Sequence, residues 1–307
     1  MNGVINFYKP PGMSSAQAVA FVKHLMHEKT GHAGTLDPEA AGVLPILLGK
    51  ATRINDYLMD SPKQYLAEIA FGQATDTQDA QGKTIQTGEN YPVSLQIQNI
   101  LPRFTGEILQ LPPQYSALKI GGETAYKLAR SGKTAELTAR KVMIYQVSWL
   151  CETKNHGHLL RVSCGKGTYI RTLCHDIGEI LGCPAHMRFL LREETSGLKL
   201  EDAVTPAGLK AWHNEGQAGS MPPWLLSISD SLSWMPHFEV PLSLAKSALN
   251  GVPLMKEGII PQGEAENHTK VCLILGGELL GIYTAGNEML RVSVMLGDSM
   301  VLGQSLD

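Results

Sequence analysis

The 307-residue sequence predicts an α+β protein, a large mixed-sheet domain followed by a small β-rich module. Three observations predict it. Over the first 200 residues, alternating apolar strands are interleaved with amphipathic helices, so sheet and helices share one core. Residues 199–234 then break the pattern with Gly216, Gly219, Pro222 and Pro223, and read as a linker region. Beyond it, VCLILGG, ELLGIYTAG and MLRVSVMLG are short apolar runs separated by glycine turns, as in a compact sheet of about 70 residues.

The elements follow in order. SSAQAVAFVKHLMHE predicts a helix with Ser14 as N-cap and Gln17 three residues later, and with Val19, Val22, Leu25 and Met26 on one face. A glycine-rich loop, GHAGTLDPEAAG (31–42), leads into the apolar run VLPILLG and a short helix, ATRINDYLM. QYLAEIAFG predicts a strand that turns Tyr65, Ala67, Ile69 and Phe71 onto one face. Further strands are expected at 142–150 and 158–164. GTYIRTLCHDIGEILG predicts a helix with Ile170, Leu173, Ile177 and Ile180 inward, ended by Gly182 and Pro184.

Composition narrows the class. Hydrophobic residues make up 43% and charged residues 18%, the balance of a soluble globular protein. No apolar run approaches the ~18–20 residues of a membrane span, and MNGVINFYKPPG lacks the marks of a secretory signal, so a cytoplasmic protein is expected. The five cysteines are odd in number and never spaced as CxxC, which predicts reduced, mostly packed thiols rather than disulfides or a zinc ribbon. His156 and His158 flank a glycine but fall short of a four-ligand metal site, and no metal is expected.

The net charge of −3 hides an asymmetry. Residues 1–200 carry 21 Lys and Arg against 17 Asp and Glu, whereas residues 201–307 carry 5 against 12. Lys119, Lys127, Arg130, Lys133, Arg140 and Lys141 cluster within 119–141, facing only Glu123 and Glu136. Such a patch suits phosphate neutralisation or a solvated face.

Asp37 is the candidate reactive carboxylate. By itself Asp-Pro is a turn former, because Pro38 drives Asp37 into extended backbone. Here Gly31, Gly34 and Gly42 allow close approach of a bulky ligand, and His32 and Thr35 add polar groups to the same loop. A carboxylate fixed there can act as a nucleophile or stabilise a developing cation.

Five segments take the reading further. KPPGMSS (9–15), GHAGTLDPEAAGVLPILLGKAT (31–52), Tyr65 in KQYLAEI, PPQYSALKIGGETAYKLARSGK (112–133) and CGKGTYIRTLCHDIGEILG (164–182) occur in that order. Together they resemble the bacterial tRNA pseudouridine-55 synthases, the TruB family, over about residues 1 to 200. The resemblance implies that residues 1–233 form a pseudouridine synthase catalytic domain with an RNA-binding insertion at about 72–141. Residues 234–307 would then form a PUA-like RNA-binding module. It implies three catalytic residues: Asp37 as the aspartate, Tyr65 as the active-site tyrosine that stacks on the target base and can help remove its C5 proton, and Arg171 as the arginine paired with the aspartate. His32, Tyr169 and Leu190 would contact the RNA or line the uridine pocket, with Leu191 as the alternative to Leu190.

The implied reaction breaks the bond between uracil N1 and the ribose, turns the base and rejoins it through C5. It needs no cofactor, and the sequence contains neither a P-loop nor a dinucleotide fingerprint. Arg171 is expected to hold Asp37 ionised. Whether Asp37 attacks the sugar, attacks the base or abstracts a sugar proton stays open. The implied partner is tRNA, through its T arm and acceptor end, with the chain acting as a monomer without guide RNA, protein partner or membrane. Competing readings are a synthase acting on ribosomal RNA or with a guide RNA, and a non-catalytic RNA-binding protein. A glycosidase is disfavoured, since hydrolysis wants two carboxylates and one is well placed. The acidic C-terminal module is expected to add modest affinity and to be dispensable for chemistry.

Overall fold

The chain starts with strand β1 (Gly3–Lys9), whose side chains are almost all buried, and continues into helix α1 (Ser15–Met26). The helix begins where the sequence says it should. Ser14 Oγ accepts from the Gln17 N–H at 3.2 Å while Gln17 Oε1 accepts from the Ser14 N–H at 2.7 Å, a reciprocal capping box. The computed structural model describes residues 1–297 apart from 117, 132–135, 217–221, 263–265 and 267–268.

A ten-stranded mixed sheet forms the frame. Its strands are β1, β2 (Thr30–His32), β3 (Ala41–Leu48), β4 (Lys63–Phe71), β5 (Gly106–Gln110), β6 (Arg140–Glu152) and β7 (Gly157–Cys164). Helix α2 (Ile170–Leu181) then leads to β8 (Ala185–Thr195), helix α3 (Pro206–Asn214) and β9 (Leu225–Leu226). The order across the sheet is β9-β1-β3-β8-β4-β7-β6-β5, with β2 pairing β3 and Leu198–Lys199 pairing β8. The strand β4 alternates as its sequence predicts, with Tyr65, Ala67 and Ile69 buried between half-buried neighbours.

Two expectations change. Ile180 was expected inward, yet it is 42% exposed, and the buried face of α2 is Ile170, Arg171, Leu173, Cys174 and Ile177. After Ile177 the core-facing stripe passes to Leu181, four residues on, which leaves the third residue at the rim. The stretch read as a linker is instead built into the main domain. Leu209 of α3 is fully buried, Trp212 and Trp224 meet edge-to-face at 5.0 Å, and β9 extends the sheet beside β1. His156 and His158 also find local partners: His156 stacks on Tyr91 at 3.5 Å, and His158 Nδ1 accepts from Trp149 Nε1 at 3.2 Å.

The C-terminal module is a six-stranded sheet of β10 (His237–Glu239), β11 (Leu254–Met255), β12 (Ile260–Gln262), β13 (Lys270–Leu275), β14 (Glu278–Ala285) and β15 (Met289–Met295). One face of the large sheet packs on α1, α2 and α3. Its other face, Val4, Val43 and Leu47, shares a core with Leu232, Met235, Cys272, Ile282 and Leu296. Lys50 and Arg53 donate to the carbonyls of Leu296 and Met295 at 2.9 Å.

This shared core bears on the module's dispensability. Without it, three fully buried aliphatic side chains would face water, at about 1.5–3 kcal/mol each. Deleting residues 235–307 is therefore expected to yield an aggregating or low-melting protein rather than a sound enzyme of weaker affinity. A soluble truncation melting near the full-length temperature would contradict the shared-core reading.

Candidate active site

The loop carrying Asp37 is tied down on both sides of that residue. Leu36 is buried, its N–H donates to Ser15 Oγ at 2.9 Å, and Ser15 Oγ donates back to the Leu36 carbonyl at 3.0 Å. The Pro38 carbonyl accepts from Lys9 Nζ at 2.9 Å and from the Gly12 N–H at 3.0 Å. Lys9 also donates to the carbonyls of Pro10 and Met13. The KPPGMSS segment is thus the cradle of the LDP turn. Burial pushes Lys9 down to about 8, against the raising pull of Glu39 and Asp37.

Arg171 closes the arrangement from α2. Its Nε lies 3.0 Å from Asp37 Oδ2, an ion-pair contact, and its Nη2 donates to Asp37 Oδ1 at 3.4 Å, so two guanidinium nitrogens face the two carboxylate oxygens. The same guanidinium donates to the Tyr115 carbonyl at 2.9 Å, the Thr77 carbonyl at 3.2 Å and Asp79 Oδ2 at 3.4 Å. The Arg171 side chain is 6% exposed and that of Asp37 41%, so the cation is buried and the carboxylate opens outward. Burial pushes Asp37 above the ordinary carboxylate value of 3.8, Arg171 pulls it back, and Asp79 pushes it up again. The expected lowering by Arg171 is present but does not win.

Asp37 opens into a cleft of about 260 Å³, small for a drug-like ligand and suited to one nucleobase. Tyr65, Tyr169, Leu190 and Arg171 line it with Asp37. Tyr65 is fixed by its place on β4, opposite Arg192 of β8, and burial pushes its phenol above 10 while Arg192 pulls it down. Tyr169 precedes α2, with its backbone held at both ends by Gln110 at 2.8 and 3.0 Å. Leu190 rather than Leu191 lies in the cleft lining. His32 is the residue the fold keeps apart: it ends β2, pairs with Ile46, and is absent from the lining. Its Nδ1 is buried without a hydrogen-bond partner, and burial with the nearby Arg192 pulls its pKa below the usual histidine value.

A match to the TruB family pseudouridylate synthase N-terminal domain spans residues 23–170, and one to the tRNA pseudouridylate synthase B C-terminal domain spans 171–232. The tRNA pseudouridine synthase B of Alkaliphilus oremlandii is 40% identical over 94% of both chains. That of Listeria monocytogenes is 39% identical over 92% of this chain and 93% of its own. The chain belongs to the TruB family of pseudouridylate synthases. Among solved structures, a Cbf5-Nop10-Gar1 complex matches with a TM-score of 0.76 at 27% identity, covering 95% of this chain and 84% of that one. An H/ACA RNP bound to a substrate RNA containing 2'-deoxyuridine matches with 0.75 at 26%, covering 96% and 85%.

The two TruB-family segments meet at Ile170 and Arg171, within the first turn of α2 and so inside one packed body rather than at a boundary. Sequence reasoning missed charged residues around this cleft: Lys63 and Arg192, which help line it, and Lys9 and Asp79, which stand around Asp37 and Arg171. Lys9 stands in the KPPGMSS segment, named with the GTLDP segment in the resemblance, so its place in that segment was a usable signal. Asp79 and Arg192 carried no local one.

The balance around Asp37 is measurable. In a carbon-13 NMR titration, Asp37 is expected to titrate above 3.8. Arg171→Gln should raise its pKa further, and Asp79→Asn should lower it, because Arg171 pulls the value down and Asp79 pushes it up. An Asp37 pKa below 3.8, or one unmoved by both substitutions, would contradict this electrostatic picture.

Proposed function

We propose that this chain is a stand-alone tRNA pseudouridine-55 synthase, an isomerase that converts one T-loop uridine through Asp37. The observation that carries the reading is the two-pronged Arg171–Asp37 pair at the mouth of a base-sized cleft that Tyr65 also lines. Relatives that match over almost their full length bear the name tRNA pseudouridine synthase B, which favours tRNA as the substrate.

The residues divide the work. Breaking the N1–ribose bond builds positive charge at the sugar carbon, which a fixed carboxylate stabilises or captures, as in glycosidases. Asp37 has that part, and Arg171 aims it. Tyr65, neutral at physiological pH, stacks on the base, while Tyr169 and Leu190 shape the pocket and His32 meets the RNA outside the cleft. The uridine must leave its loop to enter, at a few kcal/mol. No cofactor or metal takes part.

Affinity comes from residues 1–233 with the insertion at about 72–141 and from the PUA-like module at 234–307. Within the basic segment, Lys127 pairs with Glu123 at 2.9 Å and Lys141 with Glu107 at 2.8 Å, both at the surface, so phosphates would compete with local acids there. Lys133 lies outside the described residues. The T arm occupies the cleft side and the acceptor end reaches the module. The protein works as a monomer in the cytoplasm, without guide RNA, and no helix among the described residues is long and apolar enough to cross a membrane.

The test is turnover by the purified chain alone. Incubated with an unmodified tRNA transcript, it is expected to leave a single pseudouridine at the T-loop position in chemical mapping. Asp37→Asn should abolish the product while keeping tRNA binding within about tenfold, since the amide keeps the shape and loses the charge. Modification only with added guide RNA, or normal turnover by the Asn variant, would overturn the assignment.

A further inference from the structure

Arg192 is the largest of the fully buried side chains, 1% exposed, and it lies on β8 directly across from Tyr65. Its Nε donates to the Val43 carbonyl at 2.7 Å and its Nη2 to the Gly34 carbonyl at 2.9 Å. Among the described residues, no carboxylate stands within ion-pair distance of it. Buried charges are ordinarily paired, because an uncompensated one is costly to desolvate. Its field is correspondingly broad: it bears on Tyr65, His32, Lys63 and Lys9. Arg192 also helps line the cleft that holds Asp37. Its backbone is seated against Gly42, whose φ of +111 and missing side chain allow the close approach.

We infer that Arg192 offsets the negative charge that collects on the uracil ring when its bond to the ribose breaks. When N1 parts from the sugar carbon, the bonding electron pair stays with the base, giving an anion spread over N1 and both carbonyl oxygens. The new bond forms with an electron pair from C5. The C5 proton then leaves to solvent and a proton is taken up at N1, so no atom or electron is gained or lost. The cleft therefore has to serve both halves of a separated charge: Asp37 attends to the sugar, and Arg192 to the base. Lys63, whose pKa burial lowers to about 8, donates to the carbonyls of Met59 and Ser61 and joins Arg192 and Arg171 in the same lining. The inference rests on the proposed reaction and assigns the base half of it.

The test uses a substrate that supplies the stabilisation itself. Fluorine at C5 withdraws electrons and makes the uracil anion more stable, so a 5-fluorouridine transcript should depend less on Arg192. Single-turnover consumption of the target nucleoside is measured for uridine and 5-fluorouridine transcripts, with melting temperature and RNA affinity recorded for each protein. Arg192→Gln is expected to lose roughly 100-fold on uridine and less than about 10-fold on 5-fluorouridine, with affinity within a few-fold. Equal losses on both substrates would make Arg192 a strap for Gly34 and Val43 and overturn the inference. If the Gln variant does not fold, Arg192→Lys carries the same comparison: its smaller deficit on uridine should again shrink on 5-fluorouridine, and an equal deficit would overturn the inference. A wild-type protein inert on the uridine transcript would instead sink the proposed function.

Discussion

The buried guanidinium of Arg171 between Asp37 and Asp79 is the contact on which the site is assembled. It gathers four stretches that lie far apart in the chain: the LDP turn, the residues Thr77 and Asp79, the Tyr115 carbonyl and the start of α2. A lone buried cation would be costly, and so would a desolvated carboxylate. Placed together, with the remaining donors satisfied by carbonyls, they stabilise each other. The pair is poised rather than neutralised, because Asp37 still opens into the cleft and burial still outweighs the cation in setting its pKa.

The surrounding fold serves that placement. β3 and β8 run side by side in parallel through Gly42, which lets the backbone of Arg192 come against the loop that carries Asp37. Lys9 and Ser15 hold that loop from the N-terminal segment, through donors and acceptors on the residues immediately before and after Asp37. The C-terminal sheet covers the back of the same strands, sharing a core with Val4, Val43 and Leu47. An acidic module can therefore be integral to the enzyme without contributing a broad cationic surface.

Local signals in the sequence were reliable where local physics decides. The Ser14–Gln17 cap, the alternation of β4 and the glycine that ends α2 depend on neighbours a few residues away, and all three appear as read. Ile180 was misread because the stripe of a helix is cut by whatever packs on it, and here the stripe passes from Ile177 to Leu181 and leaves Ile180 at the rim. The 199–234 stretch looked like a linker because its prolines and glycines hide a buried Leu209 and a pair of tryptophans that only tertiary packing brings together. Asp37, Tyr65, Arg171, Tyr169 and Leu190 were named from ordered segments resembling a family, and all five meet in one cleft. His32 does not line it, and Asp79 and Arg192 were invisible because their roles come from partners more than 90 residues away.

The central claim is that the two-pronged Arg171–Asp37 pairing, and not merely a positive charge near the aspartate, readies the site. Single-turnover isomerisation by Arg171→Lys tests it most directly. Lysine keeps the charge but cannot set two nitrogens against the two carboxylate oxygens or reach the Tyr115 and Thr77 carbonyls together. The expected result is a rate lower by about 100-fold, worth about 2.7 kcal/mol, with RNA affinity within a few-fold of the parent. A Lys variant turning over at the parent rate would contradict the account and leave Arg171 as one more buried ion pair.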